Sequence, residues 1–422
     1  MTYLLGSPKL AGYATLAAFA LLGALVFGRA ELVALGAPFL VAIVAGLLLA
    51  PPPRVTATAV LAEERVLEGS TTTLTVTLQA PAAVGRIDLF LTAPQDITVA
   101  EGNPVSLRLR PGERRTHEMK LTARRYGAHR TGPILIRASD SLGFVRWESA
   151  VAGELVLRSY PREESLTRLV KPYETQLFAG DEVSRRKGEG IEFADLRTWV
   201  PGDAVKRVNW RASARRAELF VNDTHPERNT DVILFVDSFA EARTSDEGTL
   251  DLAIRATATL ARAYGERRDR VGLIGFGGIL RWLQPGSGAA QLYRIVDALL
   301  DTQIVLSYYW RDVVAIPRGT LPPGALVIAL TPLLDERTVG ALLDLRARGY
   351  DLTVFDVSPV PFTPRPSDPS DSVAYDLWLL RREALRYRLQ QTGVAVAEWN
   401  VNEPLQAPIE EARSFRRYAM HG

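Results

Sequence analysis

At 422 residues with a net charge of +2, the chain is longer than one ordinary domain and carries no long single-sign block, which excludes a nucleic-acid arm and an acidic solvating tail. Cysteine is absent, so disulfides, thiolate catalysis and Cys-based zinc sites are excluded, while the compartment stays open. Only five of the 50 basic residues are lysine, an arginine excess that fits GC-rich codons as well as any function.

Two apolar runs open the chain, Ala11 to Gly28 and Leu32 to Ala50, with Arg29, Ala30 and Glu31 between them. At 1.5 Å per residue each reaches about 27 Å, close to the thickness of a hydrocarbon core of roughly 30 Å. A transmembrane helical hairpin over 1–53, with helices at about 11–28 and 32–50, is expected rather than a cleaved signal peptide. A second run follows the first at once, and the basic region before the first is a single Lys9. A hairpin returns both ends to one side of the bilayer. Lys9, Arg54 and Arg65 lie near those ends and Arg29 alone at the turn, which favours a multi-pass protein with its soluble part in the cytoplasm. Pro51 to Pro53 cannot continue the helix.

From Arg54 the hydrophobic period changes to two. TLTVTL (73–78), RIDLFL (86–91) and VSLRLR (105–110) each place apolar residues on one face of a strand. Turn sequences between them set the strand spacing of an immunoglobulin-like β-sandwich over 54–160. His129, in an Arg-rich turn, reads as a solvated side chain.

A strap over 161–230 follows, containing GEGIEFADLRTWVPGDAVKRVNWRASARRAELFVND from Gly188 to Asp223. Pro201 and Gly202 suit the centre of a type II turn, and Asp203 can bond backbone amides just after it. Glu192, Asp195 and Asp203 stand among Arg197, Arg207, Arg211, Arg215 and Arg216, which predicts Arg–carboxylate pairs. Ser213 has neither a nearby His nor a GxSxG elbow, so no nucleophile emerges. The strap reads either as a binding epitope or as a brace that fixes the sandwich against the next domain through Trp210 and the ion pairs.

These residues resemble the signature of the domain-of-unknown-function family fifty-eight. The match runs through Gly190, Glu192, Phe193, Leu196, Arg197, Pro201, Gly202, Asp203, Arg207, Trp210, Ala212, Ser213, Ala214, Arg215 and Leu219, with Trp199 in place of the usual Tyr. The resemblance implies a bacterial or archaeal membrane protein with a von Willebrand factor A-like domain after the strap. It also implies a MoxR-type AAA+ ATPase as protein partner.

Beyond Asp231, apolar strands alternate with helical patterns. DVILFV is followed by a helix over 250–265, VGLIGF (271–276) by a helix over 289–300, and ALVIAL (325–330) by a helix over 336–349. LTVFDV (352–357), a long helix near Tyr375 to Gln391, VAVAEW and a last helix complete the pattern. That alternation predicts a doubly wound parallel sheet over 231–422, the order expected of a von Willebrand A-like domain. GFGG at 275–278 does not complete GxGxxG and precedes ILRWL, so it reads as a hairpin turn.

In the domain the resemblance implies, a DxSxS motif, a Thr and a later Asp hold Mg²⁺ or Mn²⁺ at the carboxyl edge of the sheet. Here Asp237 is kept, Ser238 follows it, and Phe239 and Glu241 stand at the two serine positions. Thr331 and Pro332 take the place of the later Asp, with Asp335 beyond. The candidate metal set is therefore Asp237, Ser238, Glu241, Thr331 and Asp335, a degenerate site better suited to a metal-free protein-binding edge. The expected function is a non-enzymatic membrane-anchored adaptor working with a MoxR-type ATPase in assembly or maturation of protein complexes, with no nucleic-acid partner. Two alternatives stay open, a metal-dependent hydrolase using Asp237, Glu241 and Asp335, and an outward-facing adhesion module. Against an enzyme stands the lack of HExxH, of a metal-spaced His pair and of a nucleophile with its base.

Overall fold

Strands that alternate apolar and polar residues need one covered face, whereas strands apolar throughout need two, and the chain separates these demands into two bodies. The structure, a computed structural model, describes residues 2–48, 54–100, 102–139, 143–172, 192–201, 203, 205, 208–216, 218–225, 231–304, 316–317, 319 and 321–418. It divides into two compact units, Met1–Arg162 and Glu163–Gly422.

The first unit begins with strand β1 (Thr2–Gly6), helix α1 (Pro8–Phe27) and helix α2 (Glu31–Leu48). Ser7 caps α1 by accepting from the Leu10 amide at 3.2 Å, Pro8 occupies the first turn, and Gly28 ends the helix at φ +60°. The two helices pack together, and a Cβ on Gly36 would lie 2.8 Å from Ala20 Cβ, so the glycine permits their close approach. Among the described residues, Pro8–Phe27 is long and apolar enough to cross a membrane, whereas the apolar stretch Glu31–Gly46 is shorter. The expectation of two spanning helices is thus supported for the first only, the second apolar helical stretch, Glu31–Gly46, being too short among the described residues. Pro51 to Pro53 lie outside the described residues.

The sequence pattern gave no sign of β1. It pairs antiparallel with β11 (Val145–Ala152), Thr2 opposite Ser149 and Gly6 opposite Val145. The Ser7 amide then donates to the Phe144 carbonyl at 2.9 Å. Tyr13 meets Phe144 and Phe39 edge-on, and the Lys9 ammonium stands over the rings of Tyr13 and Phe144.

The β-rich region holds three sheets. In one, β1 and β11 continue through β10 (Ile134–Ser139), β5 (Val84–Leu91) and β7 (Val105–Leu109). A second runs β2 (Thr56–Leu61), β4 (Thr71–Gln79), β8 (Arg114–Ala123), β6 (Ile97–Val99). The third runs β3 (Arg65–Leu67), β12 (Val156–Tyr160), β9 (Gly127–Arg130). Leu74, Val76 and Leu78 of β4 share one buried core with Ile87 and Leu89 of β5 and Ile136 of β10, so the period-two residues of two sheets cover each other. His129 corrects its sequence reading, since it is buried on β9 with Nε2 donating to the Arg125 carbonyl at 2.8 Å.

The second unit contains β13 (Glu192–Thr198), α3 (Trp210–Arg216) and β14 (Phe220–His225), then β15 (Asp231–Ser238), α4 (Thr249–Glu266), β16 (Arg270–Gly277), β17 (Arg281–Gly286) and α5 (Ala289–Leu300). It continues with β18 (Leu326–Thr331), α6 (Glu336–Ala347), β19 (Asp351–Val357), α7 (Pro369–Gln391), β20 (Ala395–Trp399) and α8 (Gln406–Tyr418). The large sheet has the order β17-β16-β15-β18-β19-β20, parallel except for β17, which turns back on β16 as a hairpin after GFGG. Ile233, Phe235, Val327 and Val354 join Leu342 and Leu345 of α6 and Leu389 of α7 in one core, while α4 packs along β15, β16 and β18. Residues 163–172 are tied into this unit, where the Glu164 amide donates to Thr259 at 3.1 Å and the Tyr264 hydroxyl donates to the Val170 carbonyl at 2.7 Å.

Gly36→Leu should force α1 and α2 apart and cost roughly 1–3 kcal/mol of stability through overpacking. The expected readout is a lowered thermal midpoint of the detergent-solubilised protein.

Candidate functional site at the sheet edge and on the strap

The parallel strands β15 and β18 end side by side, which places Asp237 and Thr331 at the carboxyl edge of the sheet, where open α/β sheets carry their sites. Thr331 Oγ1 donates to Asp237 Oδ2 at 2.7 Å, and the Phe239 amide donates to Oδ1 at 3.0 Å. Both side chains are buried. Burial pushes the Asp237 carboxyl up to about 6, against the pull of the Phe239 and Thr331 hydrogen bonds, and the negative charge of Asp335 adds to the rise. Between Thr331 and Asp335 the chain turns through Leu333, a buried residue at φ +51°, whose amide donates to Thr331 Oγ1 at 3.0 Å.

Asp335 is the N-cap of α6. Its Oδ1 accepts from the Arg337 amide at 2.8 Å and from Arg337 Nε at 2.9 Å, and its Oδ2 accepts from Arg337 Nη2 at 2.7 Å. Burial favours the neutral acid, but the Arg337 bonds outweigh it and hold Asp335 below the ordinary carboxylate range. The same guanidinium lies 3.9 Å from the centre of the Phe239 ring. Ser238 turns toward the neighbouring strand, with Oγ 3.5 Å from the Phe276 carbonyl. Glu241 lies beside Gly248 and 3.8 Å from Arg243.

Of the five candidate ligands the structure therefore brings together Asp237, Thr331 and Asp335, while Ser238 and Glu241 are engaged with other groups. The set fits a divalent cation poorly. Both Asp335 oxygens are taken by Arg337, and Asp237 is already bonded to the hydroxyl that would ligate beside it. Among the described residues no group of three or more His, Cys, Asp or Glu is placed to hold a metal ion. Arg337 and the Phe239 ring beneath it were missed by sequence reasoning. The available signal was an Asp two residues before an Arg at a helix start, a spacing that lets the guanidinium fold back on the cap.

On the strap, β13 and β14 form a two-stranded ribbon and α3 lies against β14. The expected Arg–carboxylate pairing is present at Arg197 and Asp203, bidentate at 2.7 and 2.8 Å. Asp203 also accepts from the Val200 amide at 3.0 Å, which closes the Pro201 turn from its far side. Asn209 caps α3 by accepting from the Ala212 amide at 3.0 Å. Ser213, buried, accepts from the Phe220 amide at 2.9 Å and donates to the Asn209 carbonyl at 2.8 Å, which fastens helix to strand. Arg215 is exposed on α3. Trp210 is 64% exposed: Ser213 takes the inward face of this short helix, and the indole at its first position points out. The side chains of Glu192 and Asp195, and the residues Gly190, Gly202 and Arg207, lie outside the described set.

Residues 195–320, from the strap ribbon to beyond α5, match the family described as "Protein of unknown function DUF58". This segment is of the DUF58 family. It includes Asp237 but ends before Thr331 and Asp335. The chain is also similar to "Uncharacterized protein YeaD" of Bacillus subtilis (strain 168), 24% identical over 114 residues. That alignment covers 27% of this chain and 29% of the relative, so well under two thirds of its length is matched. Among solved structures, a FixG-related protein from Vibrio parahaemolyticus shares 13% identity over 26% of this chain and 98% of its own, at a TM-score of 0.19. A cohesin module from a Clostridium perfringens family 33 glycoside hydrolase shares 9% identity over 26% of this chain and 99% of its own, also at a TM-score of 0.19. Likeness at that level carries no argument about the DUF58 segment or the rest of the fold.

Two outcomes test this geometry. Because the folded-state pKa of Asp237 is raised, the folded protein loses stability as pH climbs from about 4 to about 6 and the carboxylate ionises in place. Asp237→Asn removes that loss, so its thermal stability relative to wild type should be more favourable at pH 7 than at pH 5 by about 1 kcal/mol. Ser213→Ala strands the Phe220 amide and should cost about 1–3 kcal/mol, read as a lowered denaturation midpoint.

Proposed function

We propose that this chain is a non-enzymatic, membrane-anchored adaptor that binds protein through its second unit, with a MoxR-type AAA+ ATPase as the partner implied by the family resemblance. The observation that carries the reading is Trp210, an exposed indole on a frame fixed by the Ser213, Asn209 and Arg197–Asp203 bonds. Val200, Val205 and Leu219 of the same strap are exposed as well. A rigid exposed aromatic on a strap that also exposes apolar side chains has the composition of a binding hot spot, and the frame already meets part of its ordering cost.

We read the β-rich region as an immunoglobulin-like sandwich, supported by the shared core of its two larger sheets. The second unit reads as a von Willebrand factor A-like domain, supported by the parallel order of its large sheet. At the sheet edge of that domain, Arg337 occupies both oxygens of Asp335, which takes that carboxylate out of any ion's shell. The pairing of β1 with β11 supports a multi-pass topology: the chain leaves the β-sheets at Gly6 and rejoins them at Thr56, so a bilayer crossed by α1 has to be recrossed. We place the soluble part in the cytoplasm on the distribution of Lys9, Arg54 and Arg65. Proteolysis of the second unit from outside intact cells would assign it instead to an outward-facing adhesion module.

The test is direct binding of the detergent-solubilised protein to a purified MoxR-class ATPase from the same organism. Trp210→Ala should weaken binding at least tenfold, about 1.4 kcal/mol or more, with the fold intact by circular dichroism. Equal binding by wild type and variant, or none by either, removes the proposal.

A further inference from the structure

Helix α7 carries apolar residues on two opposite faces. The inward face includes Leu385 and the fully buried Leu389, which join the core beside the sheet. On the outward face Val373, Leu377, Leu380 and Tyr387 are each about 60% exposed, and Ala384 between the last two is exposed as well. Their spacings, four, three, four and three residues, are those of the apolar seam of a two-stranded coiled coil, continued along a helix of 23 residues. The positions flanking such a seam set its partner and direction. Here one flank carries Asp376 and Glu383, and the other carries Arg381 and Arg388.

Against a second α7 in parallel alignment, each acid meets the base five residues further along, Asp376 with Arg381 and Glu383 with Arg388 of the other copy. In antiparallel alignment acids would face acids and bases would face bases. The existing partners of two of these groups, Arg365 for Asp376 and Glu336 for Arg381, are exposed ion pairs of the kind that contribute little and exchange readily. Mixed flanks also argue against a bilayer surface, which selects a basic polar face.

A second observation points the same way. Beside the seam lies a groove of about 540 Å³ whose lining includes Tyr387, Glu383, Glu398, Glu411 and Arg386. Arg386 is already bonded to Glu398, so carboxylates outnumber guanidinium groups three to one in that lining. Burial and the neighbouring Glu398 raise the Glu411 carboxyl above its ordinary value, the response of an acidic site short of positive charge. In the parallel alignment the cation brought to this side is Arg388 of the second copy.

We infer that α7 is a homodimerisation surface that joins two copies of this chain in parallel through Val373, Leu377, Leu380, Ala384 and Tyr387. The surface is separate from Trp210 and does not rest on the adaptor reading.

Because the chain has no cysteine, a single Leu380→Cys substitution reports on the seam without background. The full-length protein in detergent or nanodiscs should sediment as a dimer, and Leu380→Cys should cross-link it under mild oxidation, since a parallel seam sets this residue against its own copy. Leu377→Asp with Leu380→Asp should weaken self-association at least about tenfold while circular dichroism stays native. Glu383→Arg alone should weaken it, and Glu383→Arg with Arg388→Glu should restore it, a rescue that loss of folding cannot imitate. A monomer at all accessible concentrations would overturn the inference, as would a dimer indifferent to these changes. A polarity-sensitive dye on Leu380→Cys that shifts only when lipid vesicles are added would overturn it too, by assigning the stripe to a membrane.

Discussion

A sheet buried on both faces gives the carboxylates at its strand ends no access to water, and the second unit is organised around meeting that constraint. Asp351, at the start of β19, is held bidentate by Arg416 of α8 at 2.7 and 2.6 Å. The same guanidinium donates to the Lys171 carbonyl at 2.8 Å, so one ion pair fixes α8, β19 and the segment over 163–172 together. Asp356, near the other end of β19, is held by Arg382 of α7, whose Nη2 donates to both carboxylate oxygens at 2.8 and 2.9 Å. Burial still pushes the Asp356 carboxyl up to about 6 against the pull of Arg382, which shows how much desolvation the pairing has to offset. Asp237 is served differently, by a hydroxyl and an amide, with Arg337 diverted to Asp335 and the Phe239 ring. Of these three acids Asp237 is the one whose described bonds come from neutral groups, and it stands at the edge where such sheets carry their sites.

Legibility in the sequence followed the kind of interaction involved. Period-two and fully apolar strands are local signals, so TLTVTL, RIDLFL, DVILFV and ALVIAL all stand as strands where the pattern put them. Arg197 with Asp203 was legible because the partners are six residues apart across one turn. Asp237 with Thr331 was legible only as two candidate ligands, since the bond between them spans 94 residues and depends on which strands become neighbours. β1 left no trace, because its five residues precede a helix and gain their partner from β11 far along the chain. His129 was misread for the complementary reason: arginines adjacent in sequence suggested water, but the ring turns inward to a backbone carbonyl.

The strap shows why a signature rich in charged and small residues need not be a catalytic one. Ser213 uses both of its hydrogen-bonding capacities on the backbone, and Asp203 uses its carboxylate on Arg197 and the Val200 amide. Groups committed in this way are poor chemical participants, because activating either would first require breaking the frame. Their effect is to hold a two-turn helix that would be unstable alone, and with it the indole at its first position.

The two-faced character of α7 explains why its outer stripe escaped a reading by periodicity. A helix with one apolar stripe announces itself, whereas apolar residues on opposite faces cancel in any measure of sidedness and leave only a long helix of mixed composition. Structure separates the faces by covering one of them. The uncovered stripe would be a poor dimer interface for a dilute soluble protein, since a short seam with alanine at one position buries little area. Confinement changes that balance. Copies held to one bilayer by an apolar helix such as α1 would meet at a high effective concentration and would already have lost much of the rotational freedom that association costs. A weak, direction-specific seam would then be sufficient.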